Sequence, residues 1–279
     1  MSVIGVVHTT KFKYDKPVIA SYNEIRMLPV NDARQHVRRA ALDINPSTSV
    51  DEYIDYWGTS VTAFEALNPH DAMTITADSV VEVFPSPEPK GSADWAKLAS
   101  DKVLDRYAAF LSPTPTTQVP QEVADLAKEA AGDLPPLEAC VAVLETLRDQ
   151  LAYVPGVTNV HTPATQAWDV REGVCQDMAH LGIGALQSIG VPARYVSGYL
   201  SPLVDAAVGE TVRGESHAWL EFWVGSWVAY DPTNRCFVGP NHVVVARGRE
   251  YGDVPPLKGV FAGAAASQLQ VTVEVTRMA

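Results

Sequence analysis

One cysteine in this chain sits where its thiol could react. Cys175 lies in Arg171-Glu-Gly-Val-Cys-Gln-Asp-Met-Ala-His180, where Gly173 can end one segment and let the backbone turn. The residues after it propagate a helix, which sets the thiol in the first helical turn. There the helix dipole favours a thiolate, and the free N–H groups could hold an oxyanion. The competing reading is a buried helix cysteine acting as a small hydrophobe. The other two cysteines have simpler readings. Cys140 falls mid-helix on an apolar face and reads as core, and Cys236 follows a turn with no activating neighbour. None of the three forms a CxxC pair, so neither a disulfide framework nor a zinc framework is expected.

Thiol chemistry needs a base and a group to orient it. His217 begins an alternating strand, His217-Ala-Trp-Leu-Glu-Phe-Trp223, with Trp219, Glu221 and Trp223 on its own face. A second strand, Ser226-Trp-Val-Ala-Tyr-Asp231, follows and ends at the aspartate. His217 and Asp231 are separated by an even number of residues. A three-residue loop, Trp223-Val224-Gly225, centred on Val224 would set them directly opposite on one face, with Gly225 in the left-handed position. A two-residue Gly225-Ser226 turn would put them on opposite faces. A Cys175–His217–Asp231 triad therefore predicts the odd loop. A zinc site from the same three residues is chemically conceivable, but nothing else in the chain has ligand spacing, so no metal and no cofactor is expected. His180, five residues into the helix, lies roughly 140° around from Cys175 and reads as an anchor. His161, in the loop before the helix, could approach the cleft. His8, His36, His70 and His242 belong to no constellation.

These side chains need a scaffold. The first 84 residues alternate in short runs (6–14, 22–28, 36–44, 51–57, 60–66 and 72–84) broken by Asn-Pro pairs and a glycine. That pattern predicts an N-terminal β-sandwich-like domain over 1–84. The proline-rich segment 85–92 reads as a linker. The remainder, 93–279, reads as the catalytic core with a helical lead-in and a C-terminal strand. Its helices are expected over 93–110, 119–131, 135–151, 164–170 and 175–189. The helix over 135–151 carries Leu137, Cys140, Val141, Leu144, Leu147 and Leu151 at helical spacing. Strands are expected over 193–200, 216–223, 226–231 and 242–246, with a last one alternating Leu269, Val271, Val273 and Val275. The fold class is α+β.

Composition excludes several functions. Lys and Arg number 21 against 33 Asp and Glu, a net charge of −12. That opposes nucleic-acid binding through a basic face and docking on anionic membrane. It favours, through a long-range and salt-dependent field, amine-bearing substrates. There is no apolar run of about 18 residues, and the N-terminal stretch lacks the pattern of a secretory signal. A cytoplasmic location is the expectation.

Four blocks in order resemble the transglutaminase-like superfamily of papain-like cysteine enzymes. They are Gly173-Val-Cys-Gln-Asp-Met-Ala-His-Leu181, Ile189-Gly-Val-Pro-Ala-Arg-Tyr-Val-Ser-Gly-Tyr199, Ser216-His-Ala-Trp219 and Tyr230-Asp-Pro-Thr-Asn234. His8-Thr-Thr-Lys-Phe-Lys-Tyr14 and Glu24-Ile-Arg-Met-Leu-Pro29 resemble the β-rich region that precedes this core in many bacterial members. The resemblance implies a papain-like core with the cysteine helix packed on an antiparallel sheet. It implies Cys175 as nucleophile, His217 as base and Asp231 as the group that orients the histidine. It also implies a thioester acyl-enzyme, formed from a peptide or protein amide. Water would release an acid, or an amine would take the acyl group; hydrolysis is the favoured expectation, with glutamine-type cross-linking as the alternative. A non-catalytic binding or scaffold module on the same fold is a further alternative. The Cys175 N–H is one expected oxyanion donor. Candidates for a second donor or for the cleft wall are Tyr153, Trp168, Gln176 and His161, with a core-aromatic reading open for the first two. The short turn at 223–226 departs from the family pattern and alters the cleft rim. Oligomeric state is not legible.

Overall fold

The computed structural model describes residues 2–85, 89–201, 207–263 and 266–279. Residues 86–88 of the expected linker lie outside the described residues. The N-terminal strands are β1 (Ser2–Val18), β2 (Ala20–Ile25), β3 (Gln35–Asn45), β4 (Ser49–Ile54), β5 (Ser60–Ala66) and β6 (His70–Val83). Helices follow: α1 (Trp95–Leu98), α2 (Asp101–Arg106), α3 (Ala108–Leu111), α4 (Gln121–Ala131) and α5 (Pro136–Asp149). Next come β7 (Ala152–Tyr153), α6 (Ala164–Val170), β8 (Glu172–Gly173) and α7 (Cys175–Ser188). The remaining strands are β9 (Ala193–Leu200), β10 (Thr211–Gly214), β11 (Ser216–Trp223), β12 (Trp227–Asp231), β13 (Cys236–Phe237), β14 (His242–Gly248), β15 (Leu257–Ala262) and β16 (Ser267–Arg277).

The fold is the expected α+β arrangement. A five-stranded sheet, β10-β16-β1-β6-β3, faces a four-stranded sheet, β15-β2-β5-β4. Tyr14, Ile25, Met27, Phe64, Met73 and Ile75 fill the space between them. The core carries a second five-stranded sheet, β13-β12-β11-β9-β14, with the helices packed on it.

Two readings are corrected by the structure, and one strand is added. The C-terminal strand, read with the catalytic core, pairs instead with the N-terminal sheet. β16 lies along β1, with Val6 opposite Val275 and Phe12 opposite Leu269. β15, which the sequence pattern did not suggest, pairs with β2 in the same way. Alternation shows that such segments are strands but carries no information on which edge they will meet. The expected helix over 93–110 is broken into α1, α2 and α3. Asp94 caps the Lys97 N–H at its start, and the Ser100 hydroxyl donates to the Lys97 carbonyl where α1 ends. Tyr107 then turns its ring against Trp223 and Trp227.

One of the hydrophobic clusters crosses between the two regions. Ile4 and Val6 of β1 pack in the same cluster as Leu144, Leu181 and Leu220. The buried Gln35 side chain bridges β3 to β14. Its amide nitrogen donates to the Val30 and Val244 carbonyls, at 2.6 and 2.7 Å, and its oxygen accepts from the Val244 N–H at 2.8 Å.

α7 is buried along almost its whole length, so it has no solvent face. It is clamped by α4, α5 and α6 and by β11. At Gly184 the approach is so close that an added Cβ would sit 2.0 Å from the Thr117 carbonyl oxygen. Gly→Ala inside a helix ordinarily stabilises by about 1 kcal/mol. Here the collision is with backbone, so Gly184→Ala is expected to destabilise by about 1–3 kcal/mol. Urea unfolding checks this; a variant as stable as the parent would show that the clamp yields.

Candidate active site

The position of Cys175 follows from the turns before it. α6 ends at Arg171, which adopts the left-handed conformation at φ 57°. β7 and β8 then form a short parallel bridge that pairs Tyr153 with Gly173. Val174 is extended and caps α7, so Cys175 is the first residue of the helix. Its N–H belongs to the first turn and has no acceptor within the helix. Asp177 folds back so that its Oδ2 accepts the Val174 N–H at 2.8 Å and the Thr158 hydroxyl at 2.7 Å. Burial raises the Asp177 pKa against these hydrogen bonds. The sequence suggested that Gly173 supplies the sharp turn. The turn is at Arg171, and Gly173 supplies space: an added Cβ would lie 2.7 Å from the Asp177 Cβ.

The histidine and aspartate come from the β11–β12 hairpin. Trp223 pairs with Trp227 and Leu220 with Tyr230, so the loop is Val224-Gly225-Ser226, with Gly225 at φ +101°. The loop has three residues, as the triad requires, but its centre is Gly225 rather than Val224. The parity is unchanged, so His217 and Asp231 share a face, and they meet diagonally rather than directly opposite. His217 Nε2 lies 2.7 Å from Asp231 Oδ2.

Asp231 is fully buried and accepts five hydrogen bonds. The backbone N–H groups of Thr233 and Asn234 donate to Oδ1 at 3.0 and 3.1 Å. His217, His242 and the Asn234 side chain meet Oδ2 at 2.7, 3.1 and 2.7 Å. Burial alone would raise this carboxyl's pKa. The hydrogen bonds from His217 and His242 dominate and hold it well below the usual carboxylate range. For His217, burial would lower the pKa, but hydrogen bonds to Asp231 and Cys175, with their charges, lift it to about 10. With Nε2 given to Asp231, the nitrogen left for the Cys175 sulfur is Nδ1.

His242 and Asn234 were not assigned roles from sequence. Asn234 follows Asp231 at the spacing of an Asx turn, which is a usable signal. His242 offers none, because β14 reaches the site only by pairing with β9. Its Nδ1 accepts the Gly239 N–H at 3.3 Å, so its ring hydrogen sits on Nε2 and points at Asp231. The ligand atoms of His217, Asp231 and His242 lie within 4.8 Å of one another, close enough for a cation. The protonated Nε2 of His242 has no lone pair to give one, so hydrogen bonding accounts for the cluster.

Cys175 and His217 open onto a cleft of about 470 Å³, walled by Tyr153, Arg148, Arg213, Glu215 and Asn234 among others. Tyr153 is the one second-donor candidate placed there among the described residues. Burial, then the charge of Cys175, raises its pKa, so the hydroxyl keeps its proton. Trp168 is in the core instead, 1% exposed, its indole N–H donating to Glu122 at 3.0 Å. Gln176 is buried and donates to the Val160 carbonyl at 3.1 Å, which pins the 154–163 loop. His161 is exposed and is not among the cleft-lining residues. His180 accepts the Tyr251 N–H at 3.1 Å and anchors the helix; burial lowers its pKa to about 3. Burial also pushes the Cys140 thiol up.

The elevated His217 pKa stabilises the fold fully below the unfolded value of 6.5, and this contribution is lost as the pH rises through about 10. The depressed Asp231 pKa stabilises above 3.8 and is lost as the pH falls below it. Asp231→Asn is therefore expected to bring the His217 titration from about 10 back toward 6.5, read by NMR of the imidazole protons. A titration unmoved by the substitution would assign the elevation to another group.

Comparison with known proteins identifies the family and the fold. Residues 4–82 match the bacterial transglutaminase-like N-terminal region, and residues 124–232 match the transglutaminase-like superfamily. An uncharacterised protein of Mycobacterium leprae is 46% identical over 98% of both chains. One of Mycobacterium tuberculosis is 34% identical over 97% of this chain and 91% of its own. A protein-glutamine gamma-glutamyltransferase of Pseudomonas aeruginosa is 29% identical over 33% of this chain and 15% of its own. In structure, a candidate cysteine protease from Cytophaga hutchinsonii superposes with a TM-score of 0.77 at 22% identity, covering 100% of this chain and 92% of that one. An N-terminal β region followed by a cysteine helix packed on an antiparallel sheet thus carries a family identity: the chain belongs to the transglutaminase-like superfamily and has its bacterial N-terminal region.

Proposed function

We propose that the protein is a cysteine-dependent amidase that acts on a peptide or protein amide through a thioester. The observation that carries this reading is the chain of contacts from buried Asp231 through His217 to the Cys175 thiol at a helix start, open to a cleft. His217, lifted to about 10, already carries the proton near neutral pH, so the Cys175 sulfur attacks the carbonyl carbon as the partner of an imidazolium that Asp231 holds in place. The Cys175 N–H and the Tyr153 hydroxyl face the developing oxyanion. His217 then gives its proton to the leaving amine, and the C–N bond breaks to leave a thioester. Water, deprotonated by His217, attacks the thioester, releasing a carboxylic acid and the free thiol.

Hydrolysis is favoured over transfer to an amine because the cleft is open to solvent and Arg148, Arg213, Glu215, Thr233 and Asn234 put polar groups on its wall. An apolar tunnel would instead protect the thioester from water. The Pseudomonas aeruginosa relative's name supports transfer as the second reading. A scaffold role is disfavoured by a thiol that opens onto a cleft instead of lying beneath packed side chains. The chemistry requires Cys175 reduced, which fits a cytoplasmic setting.

Stoichiometric iodoacetamide near neutral pH tests the first step. Cys175 is expected to be alkylated before Cys140 and Cys236 and faster than free cysteine, and His217→Ala should remove that advantage. With a cleaved substrate in hand, His217→Ala should reduce kcat by about 10²–10⁴-fold, and Cys175→Ala should abolish turnover. A Cys175 no faster than free cysteine, and indifferent to His217, would overturn the proposal.

A further inference from the structure

We infer that the substrate carries a carboxylate close to the scissile amide, received by Arg148 and Arg213. The inference rests on the reading of Cys175 as nucleophile and adds to it a substrate class. The chain as a whole is acidic, at −12. That suggested amine-bearing substrates, but the cleft reverses the balance. Its ionisable walls, among the described residues, are Arg148, Arg213 and His217 against Glu215, with Tyr153 and the thiol itself.

Arg148 lies in the last turn of α5 and is half-buried. Its Nη1 donates to the Leu151 carbonyl at 2.6 Å and its Nε to the Thr233 carbonyl at 3.4 Å. Both acceptors are neutral. The acids beside it on the helix, Glu145 and Asp149, are taken by Arg235, and Glu145 also accepts the Tyr230 hydroxyl. Arg148 is therefore oriented by backbone, makes no ion pair among the described residues, and keeps N–H donors for a ligand. A guanidinium left uncompensated in a partly buried cleft has a charge available for binding.

Arg213, on β10, supplies a second charge. It is exposed, and its side chain makes no hydrogen bond or ion pair among the described residues. Its register partner on β16 is Glu274, the natural cross-strand mate, yet no ion pair joins them. Two guanidinium groups in one cleft match a carboxylate, whose two oxygens accept paired N–H donors. The carboxylate could be the C-terminus of a short peptide or the side chain of an acidic residue, and the chemistry recognised is the same.

Haloacetyl probes test this without a known substrate. Bromoacetyl-glycine and its amide differ only in a C-terminal carboxylate. Bromoacetyl-aspartate amide and bromoacetyl-asparagine amide differ only in a side-chain one. Each pair's alkylation rates at Cys175 are read by mass spectrometry as a ratio and normalised to the same ratio on free cysteine. At least one acidic probe is expected to outrun its neutral twin by about tenfold, and which pair does so identifies the source of the carboxylate. Arg213→Gln, at an exposed site, should cut that ratio at least several-fold, and Arg213→Lys should keep part of it. Arg148→Gln should act in the same direction if it folds; Arg213 keeps the test decisive if it does not. His217 attracts anions in every variant, so only the arginine-dependent change counts. Neutral probes that match the acidic ones, or a preference untouched by Arg213→Gln, would overturn the inference while fast, His217-dependent iodoacetamide labelling left the nucleophile in place. Loss of that labelling dependence would remove the nucleophile, and the inference with it.

Discussion

The site is organised around one buried carboxylate. An ionised aspartate with no solvent contact is costly to hold unless every lone pair is matched, and Asp231 achieves this with five donors. Two come from the backbone turn that follows it, one from the Asn234 side chain in that turn, and two from histidines on different strands. The need to satisfy this group ties β11, β12 and β14 into a single geometry. His217 inherits its orientation from that arrangement, as well as the charge that makes the imidazolium stable beside a thiol.

The thiol's position depends on a second constraint, which is packing rather than charge. α7 is enclosed on all sides and approaches its neighbours through glycine. A helix held that tightly cannot slide along its axis without collisions, so its first residue stays at a constant depth relative to β11. Gly173 and Asp177 complete the placement, because the glycine leaves room for the carboxylate to cap the turn that delivers Cys175. Local capping and tertiary clamping thus act on the same atom from two sides.

The N-terminal region contributes more than a covering. β1 spans two cores, with Ile4 and Val6 under the helices and Tyr14 and Val18 between the two sheets. β10, from the second half of the chain, ends the same sheet and carries Arg213 to the cleft. Strands distant in sequence therefore build one wall of the site, and the division at the proline-rich segment is a division of sequence more than of structure.

The residues that meet at the candidate site were legible in the sequence because each has a local signature: a cysteine at a helix start, a histidine beginning an alternating strand, and an aspartate an even number of residues away. Even parity survived the one-residue shift of the loop centre, since facing depends on parity and not on the exact pair. The α+β class was legible for the same reason, as periodicity is a property of short windows. What no window contains is the partner. The return of β16 to β1, the arrival of His242 at Asp231, the withdrawal of Trp168 and Gln176 into packing and the pairing of Arg235 with the acids beside Arg148 were decided by tertiary structure. Each depends on which groups compete for one buried surface or one charge across large separations in the chain, and that competition is settled only when the whole core closes.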